Sequence, residues 1–495
     1  DGFVGPHIDF KGRTEQSSVQ NDFAGDHGDM VAGILAGAGN LNPAYTGMAK
    51  GAKLHVRQYN SSLPQSVQLH NDSGVMVFSS SYGNGCNGGY TSLCRQVDQE
   101  IRLYPSLIQV FSCGNSGNSD CGYGAGAGWG NVTGGHKQAK NVIAVANLTQ
   151  ISNLAGSSSR GPAADGRIKP DVGAKGTSVN STLPNNTYDS FTGTSMACPG
   201  VAGCMAQLYQ AYKELNGNIN PPSALMKCIV LNSADDLGNP GPDFKHGWGE
   251  INVLRGLNIL ENNNYESGTI TQGSDEDHIL NIPAGTQEIK IMVYWHDKEA
   301  STNASVALVN DLDINLTTPS GNTIYPWVLD PTPSSTILNT PAVQGVDNLN
   351  NMEQITIKNP PSGAYILSIN GTTVPYGPQQ YFMTYEIKSS EITLTYPIGG
   401  EGLVPGEFEL IRWDAPEDNN SFVLEYTLDN GLNWNTITNN AGVNSNFYNW
   451  NIPTSINGVP VATDAARVRI SRNGISDESD ANFTIIDVPN VSVNW

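Results

Sequence analysis

Residues 193–203 read Gly-Thr-Ser-Met-Ala-Cys-Pro-Gly-Val-Ala-Gly and open a long run of small and apolar residues. The periodicity predicts a helix over 195–215. A serine at a helix start lies beside backbone N–H groups that have no helical partner, with the positive end of the helix dipole behind it. Ser195 is therefore suited to stabilise an oxyanion. The alternative is a serine that only caps the helix, with Pro199 in the first turn.

The segments before this helix alternate apolar strands with helices. Short apolar runs predict strands at 75–80, 107–112 and 141–145, and helical spacing predicts helices at 30–36 and 93–104. Strand, helix and strand in this order predict an α/β fold with a mainly parallel sheet and helices on both faces. Functional groups of such sheets gather at the carboxyl ends of the strands.

Two of these segments carry side chains that hydrolysis uses. His27 precedes Gly28 and a helical run of small residues, and a fixed imidazole is a common general base. A structural histidine at a helix start is the alternative. Asn115 follows the strand at 107–112, where its amide could donate a hydrogen bond to an oxyanion. A turn-forming asparagine is the alternative there.

Taken together and in this order, the three segments resemble the subtilisin-like serine proteases, notably the long secreted bacterial type with C-terminal β domains. The resemblance implies a three-layer subtilisin-like domain over residues 1–262. It also implies that Ser195 is the nucleophile, His27 its general base and Asn115 an oxyanion donor. Residues 158–172 and 247–252 resemble further segments of the same family.

The resemblance also implies a substrate-binding segment. Ser81, Tyr82 and Gly83 follow the strand at 75–80 and look like the family segment on which the peptide backbone pairs as an added strand; Gly114 is assigned to the same site. An ordinary buried strand is the alternative. Asp29 and Met30 stand where the family usually has Thr and His, so the resemblance does not define the cleavage specificity.

The acid of the triad is expected just before the first residue. Residues 7–10, His-Ile-Asp-Phe, match the family's His-Pro-Asp-Leu, and counting back places Gly2 on the family's glycine. The catalytic aspartate is then expected one residue before Asp1, and Asp1 itself is not assigned that role. The sequence starts without Met or a leader, so we expect any signal peptide to lie upstream.

Short β-type segments separated by turns replace the helical pattern after residue 262. They predict a β-barrel or jelly-roll domain at 270–390 and an immunoglobulin- or fibronectin-like β-sandwich at 391–495. The former resembles the β domain of long alkaline subtilases. Asp311 and Asp313 in it suit a structural calcium ion, although a solvated turn is the alternative. The metal ligands are unassigned, and the chemistry requires no cofactor.

Composition limits the partners. Asp and Glu number 46 against 25 Lys and Arg, and the net charge of -21 disfavours nucleic acid and anionic lipid. No stretch approaches the roughly 20 apolar residues of a membrane span. We expect a secreted monomer that acts on proteins or peptides.

The seven cysteines predict local disulfides. Short Gly-containing loops favour two pairs, and a third pair has weaker support: Cys86–Cys94, Cys113–Cys121 and, more weakly, Cys204–Cys228. Buried free thiols are the alternative.

The predicted function is that of a secreted serine endopeptidase, which cleaves peptide bonds through a Ser/His/Asp triad and an acyl-enzyme. The alternative is a catalytically silent binding or adhesion protein with a subtilase fold. An α/β-hydrolase esterase is disfavoured because the sequence has no Gly-x-Ser-x-Gly elbow.

Overall fold

The computed structural model describes residues 2–19, 25–58, 65–83, 85–416, 418–443 and 445–486. The chain divides into two compact units. The first comprises residues 1–281, 289–357 and 363–386, and the second comprises 282–288, 358–362 and 387–495. The domain boundaries predicted near residues 262 and 390 stay predictions.

The first half of the first unit mixes helices and strands. Its helices are α1 (His27–Ala36), α2 (Ser66–Ser73), α3 (Ser92–Leu103), α4 (Thr194–Leu215), α5 (Ser223–Asn232) and α6 (Val253–Glu261). Its strands are β1 (Thr14–Glu15), β2 (Leu54–His55), β3 (Val77–Ser80), β4 (Ile108–Ser112), β5 (Ile143–Leu148), β6 (Val172–Lys175), β7 (Val179–Leu183) and β8 (Thr187–Phe191).

A parallel sheet organises this half. Its strands lie in the order β3-β4-β5-β6, and each neighbouring pair is parallel. All residues of β4 and β5 are buried, as expected for parallel strands that are covered on both faces. The predicted α/β class with a parallel sheet is confirmed.

Helix α4 covers this sheet with a face of small and apolar side chains. Ala197, Val201, Met205 and Leu208 recur at helical spacing and are buried in the same cluster as sheet residues such as Val110. The small residues bring the start of the helix close to the strand ends. This packing fixes where Ser195 lies.

The rest of the first unit is β structure. Its strands are β9 (Tyr265–Ile270), β10 (Asp275–Ile282), β11 (Glu288–Tyr294), β12 (Asp311–Thr317), β13 (Thr323–Ile324), β14 (Trp327–Val328), β15 (Val343–Gln344), β16 (Met352–Lys358), β17 (Gly363–Thr373) and β18 (Gln379–Lys388). They form two four-stranded sheets, ordered β10-β17-β12-β13 and β16-β11-β18-β9, and a pair, β14-β15. The β-rich region is confirmed, and its assignment as a barrel or jelly roll stays a prediction.

The second unit has its own core, which includes Trp413, Phe422 and Trp450. Its strands are β19 (Thr393–Tyr396), β20 (Gly402–Leu403), β21 (Phe408–Asp414), β22 (Phe422–Thr427), β23 (Asn435–Ala441), β24 (Phe447–Asn451), β25 (Ser455–Ile456), β26 (Val459–Pro460), β27 (Thr463–Arg472), β28 (Ile475–Glu478) and β29 (Phe483–Ile485). Strands β22 and β23 pair antiparallel and form a hairpin. The immunoglobulin-like assignment stays a prediction.

The predicted disulfide pairing is wrong. Cys86 is bonded to Cys121, with Cα atoms 5.5 Å apart, and the other five cysteines are free and buried. Cys94 faces the core from α3, where its thiol contacts the Gly135 carbonyl at 2.6 Å. Cys113 directly follows β4 and its thiol contacts the Ser159 carbonyl at 3.3 Å. Both thiols are buried, whereas Cys86 and Cys121 lie on loops.

The Cys204–Cys228 pair is also absent. Cys204 is buried on α4 and Cys228 on α5. The Cys228 sulfur contacts the Thr384 hydroxyl at 3.3 Å, beneath the β part of the first unit. Each thiol is thus packed in the interior as a small apolar group.

Three charged side chains form a buried cluster in the first unit. The Asp171 carboxylate lies 2.5 Å from Lys169 Nζ and 3.0 Å from Lys227 Nζ, and all three side chains are at most 1% exposed. Burial raises the pKa of Asp171, but the two lysines outweigh that effect and hold it below its usual value. One carboxylate therefore compensates two buried ammonium groups.

We expect Asp171→Asn to lower the free energy of unfolding by about 3–5 kcal/mol, because it leaves two buried lysines without a counter-charge. Urea unfolding followed by fluorescence measures the loss. Asp330→Asn, at an exposed position, is the matched control and should unfold like the wild type. A loss below about 1 kcal/mol for Asp171→Asn would contradict this account.

Candidate active site

Ser195 lies in the first turn of α4, at the carboxyl end of β3. Its hydroxyl donates to the Ser81 carbonyl at 3.2 Å, and the Ser81 hydroxyl donates to the Ser195 carbonyl at 2.9 Å. The predicted nucleophile and the start of the predicted substrate segment are therefore in direct contact.

The side chain of Asn115 is held by Thr194. The Thr194 backbone N–H and hydroxyl both donate to Asn115 Oδ1 at 3.0 Å. The Gly114 N–H donates in turn to the Thr194 hydroxyl at 3.3 Å. Because the amide oxygen accepts two hydrogen bonds, the orientation of the amide is defined and its Nδ2 is directed away from Thr194.

Asn115 and the start of α4 border the same space beside Gly193. A methyl group placed on Gly193 would lie 3.4 Å from Asn115 Nδ2, 3.7 Å from Asn115 Oδ1 and 3.8 Å from the backbone nitrogen of Ser195. The side-chain amide and the Ser195 backbone nitrogen are therefore neighbours, and two donors close together are what an oxyanion requires.

His27 begins α1 and is half-buried. One turn later, Val31 and Ile34 pack against Met196, the residue after Ser195. His27 and Val31 are four residues apart and therefore lie on the same face of α1. Burial lowers the pKa of His27, which favours the neutral imidazole at neutral pH.

The first described residues pack against the start of α1. A methyl group on Gly28 would come within 2.5 Å of the Phe3 carbonyl oxygen and 2.8 Å of the Gly2 carbonyl carbon. The Asp29 carboxylate accepts from the Gly5 N–H at 2.6 Å, and burial raises its pKa to about 6. Gly2 is therefore next to His27, while Asp1 lies outside the described residues.

A cavity of about 950 Å³ opens on this side of the parallel sheet. Its lining includes Leu54 to Val56 around β2 and Val75 to Ser80 around β3. Gly2 and Gly28 line it as well. Two separate sheet edges and the residues next to His27 thus border one apolar space.

The predicted substrate segments lie on neighbouring strands. In the register of β3 and β4, Ser80 pairs with Phe111, so Ser81–Gly83 and Gly114 leave the sheet at the same edge. Gly114 has φ +116°, and a methyl group there would meet Thr133 Oγ1 at 2.6 Å. Only glycine fits at this position.

Sequence reasoning gave no role to two residues of this site, Thr194 and Thr133. Thr194 directly precedes Ser195, the predicted nucleophile, in the sequence Gly193-Thr194-Ser195. Thr133 lies in a loop with no recognisable pattern, and only the fold brings it against Gly114. The proximity of Thr194 to Ser195 was the one available signal.

Metal ligation has little support in the side-chain arrangement. Within the described ranges, no group of three His, Cys, Asp or Glu side chains is placed to hold a metal ion. Asp311 and Asp313 each have a buried Oδ1 atom without a hydrogen-bond partner. Burial and the charge of Asp313 raise the pKa of Asp311 to about 7.

Comparison with known proteins identifies the family of this chain. A model described as the subtilase family matches residues 1–249. Subtilisin DY of Bacillus licheniformis is 31% identical over 265 residues, which cover 51% of this chain and 86% of that protein. The serine protease/ABC transporter B family protein tagA of Dictyostelium discoideum is 25% identical over 317 residues, which cover 55% of this chain but 17% of that protein.

Among solved structures, the prenylagaramide maturation protease PagA aligns with a TM-score of 0.42 at 22% identity, over 52% of this chain and 91% of that one.

In the described segments, no helix combines the length and the apolarity needed to cross a bilayer.

We expect Gly193→Ala to lower kcat on a peptide substrate by about 10²–10³, because its methyl group would occupy the space beside Asn115 Nδ2 and the Ser195 backbone nitrogen. This magnitude is the one known for loss of one oxyanion donor in subtilisin. Steady-state kinetics measure it. Gly200→Ala on the same helix is the control, since its methyl group would meet only Ile34 Cγ2, at 4.0 Å. Equal kcat values for the two variants would contradict the assignment.

Proposed function

This chain belongs to the subtilase family of serine proteases, and on that premise we propose that it is an endopeptidase whose nucleophile is Ser195 and whose general base is His27. The observation that supports the proposal most is the proximity of Asn115 Nδ2 and the Ser195 backbone nitrogen, both within 3.8 Å of a methyl group placed on Gly193. The relatives reported above are named as proteases, and they do not favour a silent adhesion protein.

In the proposed reaction, His27 accepts the hydroxyl proton as Ser195 Oγ bonds to the carbonyl carbon of the substrate. Asn115 Nδ2 and the Ser195 N–H hold the resulting oxyanion. The C–N bond then breaks and His27 gives its proton to the leaving amine. Water attacks the acyl-enzyme, again losing its proton to His27, and the acid product leaves as Ser195 regains a proton.

We propose that a strand upstream of Gly2 occupies the cavity between β2 and β3 and carries the triad aspartate. Two observations support this. The cavity is bordered by edges of two parallel sheet segments, which suit an added strand. The close approach of Gly28 to Gly2 supports a position of the end of that strand near His27.

We also propose secretion, which the Cys86–Cys121 disulfide supports because such bonds persist in oxidising compartments. A monomer acting on proteins or peptides completes the proposal. Structural calcium near Asp311 is a separate proposal, supported by the unpartnered oxygens of Asp311 and Asp313.

A fluorophosphonate probe tests the nucleophile. We expect it to label Ser195, as located by peptide mass spectrometry, and to leave Ser195→Ala unlabelled. Ser190→Ala, at an exposed position before the helix, is the control and should label normally. Absence of label on a folded protein that includes its upstream segment would overturn the proposed mechanism.

Extension of the chain by its natural upstream residues tests the acid. We expect a protein that starts about ten residues earlier to exceed the 495-residue chain in kcat by about 10⁴, the measured effect of the triad aspartate in a serine protease. Replacing the aspartate before Asp1 by asparagine should remove that gain. A gain that survives this replacement would assign the acid elsewhere.

Calcium is tested through Asp311. The pKa of Asp311 in the folded protein is about 7, above its ordinary value, so the folded protein binds this proton more tightly than the unfolded chain does. The stabilisation from the protonated Asp311 is therefore complete below about pH 4 and is lost as the pH rises through 7. We expect CaCl₂ to raise the Tm of the wild type at about pH 8, and Asp311→Asn to raise the Tm without calcium and to abolish the calcium effect. The same calcium response in both proteins would reject this site.

A further inference from the structure

Lys137 lies against Gly83, one of the two predicted substrate-binding glycines, and Thr133 lies against both Gly83 and Gly114. A methyl group on Gly83 would come within 2.7 Å of Lys137 Cε and 2.9 Å of Thr133 Oγ1. Thr133 Oγ1 would also lie 2.6 Å from a methyl group on Gly114. Gly83 is exposed, so the Lys137 ammonium group lies just below the protein surface.

The partners of this ammonium group are neutral. Lys137 Nζ donates to the Thr133 hydroxyl at 2.7 Å and, weakly, to the Ser112 hydroxyl at 3.5 Å. An ammonium group has three donors, so the strong hydrogen bond to Thr133 leaves capacity for an anion. Lys137 is only 2% exposed, and water solvates it little.

Other buried lysines of the described chain differ from Lys137 in their partners. Each has a carboxylate within 4 Å, in the pairs Lys140–Asp297, Lys169–Asp171, Lys227–Asp171 and Lys290–Glu386. No carboxylate of the described residues forms an ion pair with Lys137. Burial accordingly lowers its pKa to about 8.

The position of the ammonium group relates it to one substrate side chain. Asn115 is proposed to hold the carbonyl that is attacked, and Gly114 immediately precedes it. The residue that contributes this carbonyl would therefore lie beside Gly114. Because Ser81–Gly83 and Gly114 leave the sheet at the same edge, its side chain would be directed toward Thr133, which is close to both glycines, and Lys137, which is close to Gly83.

We propose that Lys137 is a specificity-determining residue, which selects substrates with an aspartate or glutamate on the acyl side of the cleaved bond. This inference rests on the proposed peptidase function. The entering carboxylate provides the counter-charge that the other buried lysines have within the fold. A neutral side chain of the same shape leaves the charge unpaired, which costs binding.

The test uses peptides that differ only at the residue before the cleaved bond, which is Glu, Asp, Gln, Leu or Lys. We expect kcat/KM for Glu or Asp to exceed that for Gln by about 10- to 100-fold, the range for a hydrogen bond to a charged group. In Lys137→Met this ratio should fall to about one. Lys50→Met, at an exposed site, removes the same net charge and should keep the wild-type ratio.

A pH series on the wild type gives a second readout that does not depend on how Lys137→Met folds. The Glu/Gln ratio should fall as the pH rises above about 8, because Lys137 then loses its proton. Burial lowers the pKa of the neighbouring His136 to about 4 and raises that of the Cys113 thiol to about 11, so neither titrates in this window. Burial also raises the pKa of the Cys198 thiol.

Three outcomes would overturn the inference. They are an active enzyme with a Glu/Gln ratio near one, an acidic preference that persists in Lys137→Met, and a preference that is unchanged between about pH 7 and 10. Failure to cleave any of the peptides, together with absence of fluorophosphonate labelling, would instead overturn the proposed function and this inference with it.

Discussion

The site depends on the hydrogen bonds by which Thr194 joins the start of α4 to the end of β4. Asn115 Oδ1 accepts from both the backbone N–H and the hydroxyl of Thr194, and this leaves the amide N–H groups for another acceptor. Burial of the α4 face against the sheet supplies the free energy that holds the two elements together. The hydrogen bonds then define the orientation of one side chain within that packing.

Buried lysines have two different environments in this fold. Most of them bridge elements: Lys140 pairs with Asp297 and donates to the Ala307 carbonyl at 2.7 Å, which joins the α/β half of the first unit to its β strands. Such a lysine is compensated by the protein itself. Lys137 has hydroxyl groups instead, and this contrast is the basis of its proposed role in binding.

The disulfide error shows what sequence spacing lacks. Cysteines that are near in sequence, such as Cys86 and Cys94, were expected to pair because short loops are easily closed. Helix α3 turns Cys94 into the core, and the partner of Cys86 is supplied by a loop 35 residues away. The number of residues between two cysteines does not give the direction of their side chains. That direction decides which thiols meet.

The sequence by itself determined the α/β class, three of the four strands of the parallel sheet, and the segments around His27, Asn115 and Ser195. It did so because apolar periodicity and helix-start chemistry are local properties. Only the tertiary structure decided that Thr194 orients Asn115 and that Thr133 and Lys137 lie beneath Gly83 and Gly114. These contacts join residues far apart in the chain, and they exist only where the register of β3 and β4 and the packing of α4 bring their backbones together.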